Sequence, residues 1–253
     1  MKQFEVDQLD IRVYATCAEM GHMAALFVGY KAREILAGQR SLNMIFAAAP
    51  SQNDFLNALI EQGIDWQRIN AFHMDEYIGL PENAPQRFGS FLKEKIFSKL
   101  PFASINYING SAADPVAECD RYSKLLADNP PDMVCMGIGE NGHIAFNDPH
   151  VADFNDPKMV KIVDLDHECR QQQVNDGCFA SLNDVPTHAL TLTIPALMSG
   201  KHIFCMVPGR NKAKAVKDTL QGEITEQCPA SILRRHSNAI LFLDNDSSGM
   251  LNL

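Results

Sequence analysis

Short, continuous apolar runs alternate along the chain with stretches of helical spacing. LNMIFAAAP (42–50), INAFHM (69–74), DMVCMGIG (132–139), ALTLTI (189–194), HIFCMVPG (202–209) and AILFLD (239–244) are of strand length. Their near-unbroken apolarity predicts strands buried on both faces. Over 17–37, Met20, Met23, Ala24, Phe27, Tyr30 and Ile35 recur at roughly helical intervals, with Gly38 as a stop. SQNDFLNALIEQG (51–63) predicts a helix with Ser51 as its N-cap and Asp54 three residues on. Residues 88–99, 115–127 and 211–222 also read as helices. Strands alternating with helices predict an α/β, single-domain chain over 1–253: a mainly parallel sheet with helices on both faces, a Rossmann-like three-layer architecture. No repeat, low-complexity tract or linker divides it. The least patterned stretch, 144–187, is expected to hold surface loops and a short helix and to act as a mobile flap.

Composition narrows the partners. The 253 residues carry 22 Lys plus Arg against 31 Asp plus Glu, a formal charge of −9. Nucleic acid is therefore not an expected partner, because phosphate neutralisation needs a basic surface. An anionic small molecule needs a local cationic pocket. No apolar run reaches the ~20 residues that span a bilayer, and MKQFEVDQLD lacks the apolar core of a signal peptide, so a cytoplasmic location without membrane attachment is expected. The seven cysteines form no CxxC pair and their odd number argues against a disulfide framework. Cys135 and Cys205 sit inside apolar runs and read as packing residues. No His/Cys cluster has metal-ligand spacing, so no metal is expected.

In open parallel sheets, ligands bind beyond the carboxyl ends of the strands. Three polar loops follow predicted strands: Ala49-Pro50-Ser51, Asp75-Glu76-Tyr77 and Gly139 to Pro149. A carboxylate directly after an apolar strand suits a general base in a partly desolvated pocket. Neighbouring side chains on extended chain point opposite ways, so Asp75 is assigned the pocket and Glu76 a structural place. GIGENGHIAFNDP (137–149) combines turn-permitting glycines with His143, an acid/base near neutral pH, and Asp148, placed to orient the imidazole. GIGENG is not the dinucleotide fingerprint, because His143 stands where the third Gly belongs, so a nicotinamide enzyme is disfavoured. For an anion, Ser51 at a helix start and Lys212 at the head of another helix are the candidates. Arg210 is a rival, and Arg170 with Gln171, Gln172 and Gln173 either closes over a ligand or forms a wet helix face.

FHMDEYIGLP (72–81) and GIGENGHIAFNDP (137–149), with VPTHALTLTIPAL (185–197) and VPGRNKAKAV (207–216), resemble the signature segments of the glucosamine-6-phosphate deaminase (isomerase) family, in order and spacing over nearly the whole chain. 6-Phosphogluconolactonase shares the fold, but its loop typically reads GHTASLFP where this chain has GHIAFNDP. The resemblance implies conversion of glucosamine 6-phosphate to fructose 6-phosphate and ammonia without metal or organic cofactor. It assigns His143 to ring opening, Asp75 to proton transfer from C2 to C1, Asp148 and Asn141 to the support of His143, and the phosphate to Ala49, Pro50, Ser51, Gly142 and Lys212. Relatives often have a Thr-Gly-Gly-Thr-like phosphate loop where this chain reads AAAPSQN (47–53); Pro50 has no N–H to offer. They often have Asp at Asn141 and Glu at Asp148. Their phosphate-binding Arg has no clean counterpart, with Asn175 near it in alignment and Arg170 the expected substitute. These departures imply a divergent branch, for which galactosamine 6-phosphate is an alternative substrate. A lactone hydrolase and a non-catalytic sugar-phosphate sensor are the other readings. Family members are often homo-oligomers, and 150–158 does not match their activator-binding loop, so allosteric activation is not expected.

Overall fold

The computed structural model describes residues 1–252, and the long apolar runs form strands as their pattern predicts. Eight strands form the main sheet: β1 (Lys2–Val6), β2 (Leu9–Tyr14), β3 (Leu42–Phe46), β4 (Ile69–His73), β6 (Ser104–Asn106), β7 (Met133–Met136), β10 (His202–Val207) and β11 (Ala239–Asp244). Their order is β1-β2-β11-β10-β7-β3-β4-β6, and every neighbouring pair is parallel except the β1–β2 hairpin. Side chains alternate between two cores. Met44, Phe46, Phe204 and Met206 pack against α1 (Cys17–Gly38) and α2 (Asn53–Leu59). Ile45, Ile203, Cys205 and Val207 pack with α4 (Pro115–Asp128), α6 (Ile194–Met198) and α7 (Ala213–Gln221). Period-two alternation of wholly apolar strands between two helical layers is the physical content of the three-layer architecture.

Strand order reverses between β3 and β7. From β3 the chain moves outward to β4 and β6; from β7 it moves the other way to β10 and β11. A crevice opens beyond the strand ends at such a switch point.

Several expectations need correction. ALTLTI is not a strand of the parallel sheet. β9 (His188–Leu192) is the centre of a second sheet, antiparallel to both β5 (Asp75–Tyr77) and β8 (Val160–Asp164), and Thr193 turns the chain into α6 by capping Ala196 N–H. The supposed loop Asp75-Glu76-Tyr77 is β5, held by its register with Thr191, Leu190 and Ala189. Ser51 caps nothing: Ala49 holds the extended cap conformation, Pro50 takes the first position of a 3-10 turn ending at Gln52, and α2 follows without a side-chain cap. The helix at 88–99 is α3 (Phe88–Leu92) running into a π turn over Lys93–Phe97. The stretch 144–187 contains β8 and α5 (His167–Asn175) besides its loops. Among the described residues, no helix is long and apolar enough to cross a membrane.

Candidate active site

A pocket occupies the crevice. Its walls come from the segments that leave β3 (Ala47, Ala48, Ala49, Ser51, Gln52), β4 (Met74, Asp75) and β7 (Gly137, Ile138, Gly139, His143), closed by residues of α5 and by Lys212.

Asp75 reaches the pocket because the chain changes sheets at Met74. Leu192 N–H donates to Met74 O at 2.8 Å, and β5 then pairs with β9. The Asp75 side chain is directed into the crevice and its neighbour Glu76 is turned the other way. Glu76 is fully buried, and its carboxylate accepts the N–H groups of Tyr77, Phe88 and Gly89 at 2.9–3.1 Å. Burial, reinforced by the Glu76 carboxylate, pushes the Asp75 carboxyl well above the ordinary value. His73 braces this corner from behind. Ile108 N–H donates to its Nε2 at 2.9 Å, so Nδ1 carries the proton and donates to Asp75 C=O at 2.9 Å. Burial lowers the His73 pKa to about 4, so the ring is neutral.

The second cluster lies after β7. His143 Nδ1 lies 2.8 Å from Asn141 Oδ1 and 2.8 Å from Asp148 Oδ1. Both are acceptors there, so Nδ1 carries the proton and Nε2 keeps a lone pair. Asn141 Nδ2 donates to Asp148 Oδ1 at 3.0 Å, which closes the triangle. The shorter Asp148 therefore reaches the ring. Burial alone would raise the Asp148 carboxyl; the His143 ring, the Asn141 amide and the Cys169 thiol outweigh it and hold the group below its ordinary value. Gly139 lies flat against the imidazole, and a Cβ there would run into the ring. Ala145, also in the wall, adopts the left-handed conformation with φ 48°, a strained geometry that clusters at functional sites.

Lys212 is 5% exposed and closes the far end. Burial lowers its pKa, against the pull of Asp176 and Glu140. It is the only cationic side chain that lines the pocket among the described residues.

The profile of the glucosamine-6-phosphate isomerases/6-phosphogluconolactonase matches residues 15–242. The chain belongs to this family. Glucosamine-6-phosphate deaminases of Bacillus cereus (strain G9842) and Bacillus thuringiensis (strain Al Hakam) are 38% and 37% identical over 221 and 220 residues, each match covering 87% of this chain and 82% of the relative. A solved monomeric glucosamine-6-phosphate deaminase superposes with a TM-score of 0.87 at 28% identity, covering 95% of this chain and 99% of that one. 6-Phosphogluconolactonase from Thermotoga maritima gives 0.77 at 19% identity over 93% and 99%, a likeness of fold alone.

Within this isomerase/lactonase fold, Asp75, His143, Ala49, Ser51 and Lys212 line one pocket, with Asn141 and Asp148 directly behind His143. Others fall elsewhere. Arg170 does not line the pocket: its guanidinium donates to Leu182 O at 2.7 Å and Val185 O at 3.0 Å, so it ties down the loop after α5. Gly142 turns the loop with φ 87° and packs on Cys228, where a Cβ would stand 2.8 Å from Sγ. Pro50 lines an adjacent apolar pocket with Phe91 and Cys178. Sequence reasoning missed Gln52 and Cys169 and gave His73 no role; of its two readings of the Gln171-Gln172-Gln173 run, Gln172 and Gln173 meet the ligand-facing one. The buried stripe Cys169, Gln172, Gln173 repeats at i, i+3, i+4 on α5, but hydropathy does not reveal a buried helix face made of amides.

Proposed function

We propose that this chain deaminates glucosamine 6-phosphate to fructose 6-phosphate and ammonia, with Asp75 as the carbon base and His143 as the ring-opening group. The observation that carries this reading is the buried, hydrogen-bond-poor Asp75 facing the same pocket as a His143 whose Nε2 lone pair is available. His143 Nε2 removes the anomeric hydroxyl proton and delivers it to the ring oxygen. Asp75 then takes the C2 proton, forming an enolamine, and returns it to C1. The resulting ketimine at C2 is hydrolysed and ammonia leaves. A carboxyl raised towards neutrality suits a group that must accept a proton and give it back. Asn141 and Asp148 hold the ring tautomer and stabilise the imidazolium as it forms.

The phosphate is held by the Lys212 ammonium with Ser51, the Ala49 backbone and the neutral amides of Gln52, Gln172 and Gln173. Pro50 lacks the N–H that a glycine would supply, and the amides compensate. Fixing this remote group positions C1 and C2 against Asp75. Residues 144–187 form the flap over the site. A cytoplasmic location fits seven free thiols, and association into a homo-oligomer is read by light scattering. A lactone hydrolase needs no base at C2, so Asp75 favours the deaminase. The test is ammonia release from glucosamine 6-phosphate, with galactosamine 6-phosphate in parallel. Ammonia with fructose 6-phosphate supports the proposal. Release from the galacto epimer alone transfers the assignment to that sugar, and release from neither overturns it.

A further inference from the structure

His143, Asp148 and Cys169 offer a ring nitrogen, a carboxylate oxygen and a thiol sulfur that all lie within 4.8 Å of one another. All three residues are buried. Asp148 Oδ2 is fully buried and has no hydrogen-bond partner; the thiol beside it is only a weak donor. A fourth atom, Asn141 Oδ1, lies 2.8 Å from His143 Nδ1. No pair of these residues has the spacing of a metal motif; the contact of α5 with the loop after β7 creates the cluster.

We propose that this cluster is an inhibitory site for a thiophilic divalent cation of the Zn²⁺ class. Zinc takes four ligands at roughly 2.0–2.3 Å in tetrahedral array and accepts N, O and S donors together. Ligand atoms in such an array stand about 3.3–3.7 Å apart, so the most distant atoms close by about 1 Å while the 2.8 Å contacts of His143 Nδ1 with Asp148 and Asn141 open by roughly 0.5 Å. A thiolate and an imidazole select against Mg²⁺ and Ca²⁺, which prefer all-oxygen shells. The carboxylate and thiolate cancel the ion's charge, and the unpartnered Oδ2 gains the partner it lacks. The cation enters through the pocket that His143 lines.

Binding is a ligand exchange without redox change. The Cys169 thiol proton leaves to solvent. The Nδ1 proton is displaced by the metal and a proton is taken up on Nε2, so one proton is released in all. His143 then presents an N–H to the substrate in place of a lone pair, and Asp148 no longer orients the ring. Loss of turnover rests on the assignment of His143 to ring opening; metal binding does not.

Two readouts separate these parts. Titration with Co²⁺, followed by near-ultraviolet absorption, is expected to show a thiolate-to-cobalt band saturating at one ion per chain and removed by Zn²⁺. Stoichiometric Zn²⁺ is expected to lower ammonia release at least tenfold, with recovery on EDTA addition. Cys169→Ser should abolish the band and raise the zinc needed for half-inhibition by roughly 100-fold, the upper range for disturbing a metal shell; Cys169→Ala serves if the serine variant does not fold. A band that survives in either variant, or its absence from the wild-type chain, overturns the site. A band that forms while turnover is unaffected overturns inhibition and leaves the binding site standing. If the chain deaminates neither sugar, the cobalt titration still decides the site.

Discussion

At the scale of single residues, the pocket spends stability to place ionisable groups away from water. Asp75 is the clearest case. Its folded-state pKa is raised, so the folded chain binds its proton more tightly than the unfolded chain, and stability falls as pH rises above the ordinary carboxylate range. Asp75→Asn is expected to abolish ammonia release, to leave sugar-phosphate binding intact, and to raise the melting midpoint at neutral pH. The shift should be about 2–4 °C per kcal/mol in a chain of this size; calorimetry of the variant checks it, and a lower midpoint would contradict the burial argument. His73 works with the opposite sign. Its pKa falls from 6.5 to about 4 on folding, so its contribution is complete above pH 6.5 and is lost as pH drops towards 4. Because one pH unit is 1.36 kcal/mol, the loss is about 3 kcal/mol by pH 4. His73→Asn should flatten denaturant-measured stability across that interval. At the pocket end where the proposed function places the phosphate, Lys212→Ala would remove a charged contact worth about 1.5–3 kcal/mol. It is expected to raise KM roughly 10–100-fold, read from initial rates over a wide substrate range. Asp75, His143 and Lys212 were legible because they follow apolar strands or open a helix. Cys169 was not, and Gln172 and Gln173 stayed open between closing over a ligand and a wet helix face, because their place depends on packing against a loop some 30 residues earlier in the chain.

Among the elements, the apolar runs were read as strands, although ALTLTI was assigned to the wrong sheet, and strands with mixed patterns were missed. β3, β4, β7, β10 and β11 are continuous apolar runs. β1 is mostly exposed and half polar, β5 is three residues of Asp-Glu-Tyr, and β8 carries Lys161 and Asp164. Each is a strand because a partner supplies its ladder, which no local signal announces. β5 matters most, because it carries Asp75. Its support includes Gly110, which packs so closely on Glu76 and Tyr77 that a Cβ there would collide with Tyr77 O. Gly110→Ala is therefore expected to cost about 1–3 kcal/mol, the usual penalty of overpacking, and to lower kcat by displacing β5. Stability by denaturant and steady-state kinetics on the same preparation would reveal whether the two losses coincide.

For the molecule as a whole, the two sheets differ in how they are held. The main sheet is sandwiched between two large apolar cores; the β5-β9-β8 sheet has only three strands, and although β5 and β9 are buried in the same cores, its outer strand β8 is partly exposed. Local opening follows such differences. Hydrogen exchange is expected to reach the amides of 160–175 well before those of β3, β7 and β10, and equal protection would show that this segment opens only with global unfolding. The order of strands also carries a temporal consequence. β2 sits between β1 and β11, and β5 pairs with β9, more than a hundred positions downstream. During synthesis from the N-terminus, the hairpin that emerges first finds its inner neighbour only when residues 239–244 have left the ribosomal tunnel. Asp75, the proposed carbon base, is likewise unplaced until residues 188–192 are made. A nascent chain can thus assemble β3, β4 and β7 early, yet it gains a complete catalytic crevice only near the end of translation.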